Sequence, residues 1–156
     1  MVSVPVQDKQ LARGSSRWLG DQGERLAAEH LETNGFRLVA ANFIVQVGRN
    51  SKGVAVTGEI DLIALEGDVL CFIEVKTRRS AEFTPVLTNI DRRKQRQITR
   101  TAKIYRRIFA ITGMAFRFDA VTVLMPRNKG PQIEIVRDLW TEAHFRKKRW
   151  AYDVRF

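Results

Sequence analysis

A chain of 156 residues with 44% hydrophobic and 9% aromatic side chains has the length of one domain and too much apolar content for general disorder. Its longest uninterrupted apolar run, Val69 to Ile73, is five residues, against the roughly 20 that a membrane-spanning helix needs. No membrane partner is therefore expected. A formal charge of +10 points instead to a polyanion, most simply nucleic acid. The first twenty residues hold no continuous apolar core, so a secretory signal is not expected. The single Cys71 closes no internal disulfide and fits a reducing, cytoplasmic setting.

Residues 1–14 lack periodicity and read as a flexible N-terminal arm. The folded domain is expected over 15–139. Ser15 or Ser16 can cap a helix running to about Asn34-Gly35. Its Glu24, Ala27, Ala28 and Leu31 fall on one face, which places a carboxylate on the apolar seam. Phe36–Phe43 reads as a strand, and Val45–Thr57 as a hairpin extension with its tip at 48–53. Glu59–Leu65 and Val69–Lys76 are strands joined by the turn Glu66-Gly67-Asp68.

After a loop over 77–88, Asn89 or Asp91 opens a second helix to about Ala110. Ile98, Ala102, Tyr105 and Phe109 share one side of it, and Arg96, Arg100, Lys103 and Arg107 the other. Phe116–Met125 and Gln132–Val136 close the pattern as strands, and residues 140–156 form a basic aromatic tail. This order predicts an α/β fold with a mixed central sheet flanked by helices.

The charge is segregated. Residues 1–75 carry 7 basic and 10 acidic side chains, a net of −3, and residues 76–156 carry 20 and 7, a net of +13. Alternation along the second strand puts Glu59 and Asp61 on one face and Ile60 and Leu62 on the other. In the third strand Glu74 and Lys76 share a face. The short turn makes the two strands antiparallel neighbours, so these polar faces meet at one end of the sheet. Buried charges need a partner or a metal. Two carboxylates ~4 Å apart repel by about 4 kcal/mol at an effective dielectric of 20, and a divalent cation reverses that sign. All-oxygen ligands select Mg²⁺ or Mn²⁺. Such an ion polarises a phosphodiester, and Lys76 is placed to orient water or neutralise developing charge. Read without a metal, the same residues are a solvated polar face with a Glu–Lys ion pair.

At these residues the chain resembles a known family. Gly23-Glu24-Arg25-Leu26-Ala27-Ala28, Gly58-Glu59-Ile60-Asp61-Leu62-Ile63-Ala64, Glu74-Val75-Lys76-Thr77-Arg78-Arg79-Ser80 and Arg117-Phe118-Asp119-Ala120-Val121 are similar to the YraN-like bacterial proteins. These are placed in the PD-(D/E)XK nuclease superfamily, near archaeal-type Holliday junction resolvases. The resemblance covers about residues 17–139. It implies a restriction-endonuclease-like fold and Mg²⁺- or Mn²⁺-dependent hydrolysis of DNA, including branched DNA in repair or recombination. It also implies Asp61 and Glu74 as metal ligands with the Val75 carbonyl, Lys76 as the catalytic lysine, and Glu24 completing the site. Gln95 matches a polar residue that related nucleases place near the site. Resolvase-like relatives are often dimers, so a homodimer is one implied assembly, although no dimer face is legible. The Val45–Thr57 extension is longer than the family pattern, and the tail lies outside it.

The basic helix stripe, with Arg78, Arg79, Arg92 and Arg93, is the expected phosphate-contacting surface. Arg117 and Asp119 read as an internal ion pair, Cys71 as a buried inert thiol, and His30 and His144 as structural or surface residues. Trp140, Trp150, Tyr152 and Phe156 are open among base stacking, a partner interface and docking on the core. Two other function classes stand beside the nuclease: a non-catalytic nucleic-acid-binding module, and a protein-interaction adaptor using the tail.

Overall fold

The computed structural model describes residues 16–80 and 90–146; the N-terminal arm, most of the loop before the second helix, and Trp150, Tyr152 and Phe156 lie outside the described residues. The elements run α1 (Ser16–Thr33), β1 (Phe36–Arg49), β2 (Ala55–Glu66), β3 (Val69–Arg78), α2 (Arg92–Ile108), β4 (Phe116–Leu124) and β5 (Gln132–Trp140), followed by a short 3-10 turn over Glu142–Phe145. The five strands form one sheet in the order β1-β2-β3-β4-β5. The β3–β4 pair is parallel and the other three are antiparallel. This is the mixed α/β sheet flanked by helices that the element order predicts, consistent with the restriction-endonuclease-like fold that the resemblance implies. Among the described residues no helix is long and apolar enough to cross a membrane.

Each face of the sheet is closed by one helix. Ala27 and Leu31 of α1 pack with Leu62, Ala64, Ile73, Val75 and Val121 on one side. Ile98, Ala102 and Tyr105 of α2 pack with Ile60, Ile63, Phe72 and Phe118 on the other. Phe72 sits at the centre of the second layer, edge-on to Tyr105 at 5.7 Å and tilted against Phe118 at 5.8 Å. Two close approaches set the helices on the sheet. A Cβ at Gly23 would stand 1.8 Å from Thr77 Oγ1, and one at Gly58 would stand 2.0 Å from Thr101 Oγ1. Only glycine lets α1 reach the end of β3 and lets β2 pass beneath α2.

Four expectations are corrected. The strand over 36–43 and the hairpin extension are one continuous ribbon, because β1 pairs with β2 from Phe36 to Arg49 with two bulges. Ile60 and Leu62 do not share a face: Ile60 packs under α2 and Leu62 under α1, so strict alternation breaks at Asp61. Phe109 is 56% exposed because it caps α2, past the last buried turn. Trp140, read as tail, is the last residue of β5. It is buried, stacks on Phe118 at 4.9 Å and 9°, and donates its indole N–H to Thr99 Oγ1 at 2.9 Å. For Trp140, docking on the core is therefore the answer.

At the far end of the sheet, Arg117 bonds both Asp119 oxygens at 2.9 Å and also Glu66. Arg137 binds Glu66 from the other side, Nη2 to Oε1 at 2.7 Å. The expected Arg117–Asp119 pair is present, and Glu66 joins it rather than serving only the turn. Arg137, then Arg117, hold the Glu66 carboxyl down to about 2 from 4.5. A depressed carboxylate pKa contributes stability above its unfolded value and loses it as pH falls through its folded value. Urea titrations should therefore find Glu66→Gln less stable than the parent by at most about 1 kcal/mol near neutrality, since the pair is partly exposed. The gap should close between pH 4.5 and about pH 2. A gap that is constant across that range would show the arginines contribute nothing through charge.

Candidate metal and nucleic-acid site

The β2–β3 ladder runs from Glu66–Val69 to Leu62–Ile73. One residue beyond, Asp61 accepts the Val75 amide on Oδ2 at 2.8 Å, its side chain standing in for a backbone partner. The strands thus part at the point where both carry an acid. Asp61 is 9% and Glu74 3% exposed. On Glu74, Oε1 faces Lys76 Nζ at 3.0 Å and Lys94 Nζ at 3.5 Å, while Oε2 is buried without a hydrogen-bond partner. Glu24, set by the Gly23–Thr77 contact, comes from α1. Burial first, then Asp21, Glu59 and Glu74, push its carboxyl up to about 7, opposed by a hydrogen bond from Asn42. Burial and then Glu74 raise Asp61 well above the ordinary carboxylate range, against the pull of the Val75 amide and Lys94.

Helix, second strand and third strand therefore bring Glu24, Asp61 and Glu74 within electrostatic reach, with Lys76 beside them. Of Val75, the group found on the acids is the amide. Among the described residues no three acids, histidines or cysteines stand close enough to form a ready metal cage. A Mg²⁺ ion does not require one, since it commonly keeps several waters and is bound through one or two carboxylates. Asp61 and Glu74 offer hard oxygen donors, an unpartnered Oε2 and mutual repulsion that a cation would relieve. The residues fit the ion.

The basic residues divide. Arg93, Arg96 and Arg100 line a cavity between α2 and the β1–β2 hairpin. Lys103 lines a second cavity, on the side of α2 toward the 3-10 turn. Arg92 and Arg96 each lie 5.9 Å over the Phe145 ring. Arg78 and Arg79 are half-buried at the end of β3, and Arg107 is exposed at the last turn of α2. Gln95 spends its amide on the Ile90 carbonyl at 3.0 Å, so it braces the entry to α2.

Lys94 and Asn42 are the site residues that sequence reasoning missed. Lys94 stands four residues before Ile98, on the stripe continued by Ala102 and Tyr105, so the inward helical period carried its signal. Asn42 sits at φ 51° within β1, a left-handed conformation that asparagine tolerates better than most residues, and nothing local announced its partner.

Residues 23–123 match the profile of the family described as "Uncharacterised protein family UPF0102". The UPF0102 protein CT2262 of Chlorobaculum tepidum is 41% identical over 108 residues, 69% of this chain and 76% of the relative. That of Renibacterium salmoninarum is 36% identical over 121 residues, 78% and 94% of the two chains. That of Methylococcus capsulatus is 37% identical over 126 residues, 80% and 93%. A solved structure titled "Crystal structure of SSO0001" covers 83% of this chain and 55% of that one at 18% identity, with a TM-score of 0.38, too loose a likeness to argue from.

Proposed function

The chain belongs to the UPF0102 family, the YraN-like proteins its motifs resemble, and we propose that it is a Mg²⁺- or Mn²⁺-dependent nuclease hydrolysing DNA phosphodiesters. The observation that carries this is the meeting of Asp61 and Glu74, each nearly buried, where β2 and β3 part, beside two lysines and a cationic helix. Asp61 and Glu74 would hold the ion, with Glu24 supporting it from α1. When bound, a divalent cation supplies Lewis-acid polarisation of the phosphodiester.

The remaining work falls to this chain's own groups. The Val75 amide fixes which way the Asp61 carboxylate points. The Lys76 side chain is 26% exposed and meets Glu74 Oε1; its ammonium has three donors, and those beyond that contact can go to a water or a phosphate oxygen. The arginines of α2 hold the backbone without reading sequence.

At least one of labelled single-stranded, duplex and forked DNA should be cut in Mg²⁺, and none in EDTA. Asp61→Ala and Glu74→Ala should each abolish cutting, and Mg²⁺ titrated calorimetrically should bind the parent and neither variant. Full activity in both variants would sink the proposal. One observation favours a second reading, a nucleic-acid-binding module without catalysis: Lys76 and Lys94 both stand on Glu74 Oε1 and can balance its charge themselves. That reading expects salt-sensitive binding indifferent to Mg²⁺ and to loss of either acid.

A further inference from the structure

Helix α2 lies as a ridge between two cavities that share Arg96 and Arg100. The first, about 470 Å³, has Arg93 and Lys94 on its helix side and Val47 and Val56 of the hairpin on the other. Gln97 Nε2 donates to the Thr57 carbonyl at 2.8 Å, which fastens the hairpin to the helix. Asp91, its acidic member, already accepts the Lys94 amide at the cap. Lys94 reaches from this cavity to Glu74, so the cavity adjoins the acids. The second, about 960 Å³, carries the cationic lining past Lys103 to Arg146 and the ring of Phe145; its Arg106 is paired with its one acid, Glu142, at 2.8 Å.

We propose that these cavities form one track for single-stranded DNA, running from Phe145 across Arg96 and Arg100 to the acids past Lys94. Each has the size of a small-molecule site, roughly 300–1,000 Å³, room for a nucleotide or two taken one after another. Unpaired bases expose their faces, and the track offers them an aromatic ring flanked by two guanidiniums at one end and an apolar valine wall at the other. Cations following the backbone beside such platforms are how single strands are held without sequence preference. The hairpin extension thereby acquires a role, as the wall opposite the cations.

The inference rests on the nuclease reading for the identity of the polymer, so binding is measured in EDTA, where nothing can be cut. Fluorescence anisotropy would follow a labelled oligodeoxynucleotide and the blunt duplex of the same sequence through a salt series. The single strand should bind at least about tenfold more tightly. Phe145→Ala and Val56→Asp should each weaken it by about five- to tenfold and leave the duplex nearly unchanged. Arg96→Gln should reduce the single-strand salt slope by about 0.7. Phe145 also packs on the core, so Val56→Asp, at a 38% exposed position, keeps the test independent of folding. Equal affinity for duplex and single strand, or an unchanged Val56→Asp, overturns the track. Single-strand preference without cleavage in Mg²⁺ sinks the nuclease and leaves the track; cleavage without that preference sinks the track alone.

Discussion

Asp61→Asn should stabilise the metal-free protein while removing the proposed cleavage activity. Asparagine keeps an oxygen for the Val75 amide, which Asp61 accepts at 2.8 Å, and discards a charge that burial and Glu74 both oppose. Like charges ~4 Å apart cost about 4 kcal/mol at an effective dielectric of 20. Lys94 offsets part of this, so a gain of about 1–2 kcal/mol is expected in EDTA. Activity should fall by about a thousandfold, since Lewis-acid assistance is worth several kcal/mol and each 1.36 kcal/mol is tenfold. Mg²⁺ should then invert the order of stability. At 100 times its dissociation constant a ligand adds about 2.7 kcal/mol to a state that binds it, and the parent alone would gain this. Melting curves with EDTA and with excess Mg²⁺ check both halves. A variant less stable than the parent in EDTA would show that the carboxylate is favourable on its own, with no cation waiting to be bound.

Gly23→Ala should destabilise the fold although alanine is the better helix former. Propensity alone favours alanine by about 1 kcal/mol. The new Cβ would meet Thr77 Oγ1 at 1.8 Å, Cβ at 2.7 Å and Cγ2 at 2.8 Å, and overpacking of this kind costs about 1–3 kcal/mol. Thr77 is β-branched on a strand and cannot swing aside, so α1 must move and carry Glu24 with it. The proposed cleavage should drop more than the change in stability alone explains. Thr77→Ala removes two of the three offending atoms and leaves the Cβ, so the double variant should recover part of the loss. A double-mutant cycle measured by urea unfolding would give a coupling of about 1 kcal/mol. If Gly23→Ala were neutral or stabilising, the contact would not be what seats the helix.

The order of elements and the neighbourhood of Asp61, Glu74 and Lys76 were legible because they rest on local periods: two along a strand, 3.6 along a helix, and one short turn. What escaped the sequence was set by packing between distant segments. The Gly23–Thr77 contact joins α1 to β3, and no local pattern marks which glycine will face a threonine 54 positions on. The break in alternation at Asp61 follows from the parting of β2 and β3, where a side chain replaces a backbone partner. Lys94 stands in a run of basic residues that look alike, although its place on the inward stripe sets it apart. Trp140 looked like tail because basic and aromatic residues follow it; its stacking on Phe118 depends on β5 running beyond Val136, which its mixed composition did not suggest.

The parallel pairing of β3 and β4 also orders the assembly of the site in time. β1, β2 and β3 are joined by tight turns, so the ribbon carrying Asp61 and Glu74 closes over short loops. β4 reaches β3, with Phe116 beside Leu70, only after the chain has passed through α2, and closure entropy and folding time grow with that separation. A chain emerging from synthesis carries both acids before α2 exists to bring Lys94 to Glu74. The two lysines that meet on Glu74 come from opposite ends of this order, Lys76 with the local ribbon and Lys94 when the long loop shuts.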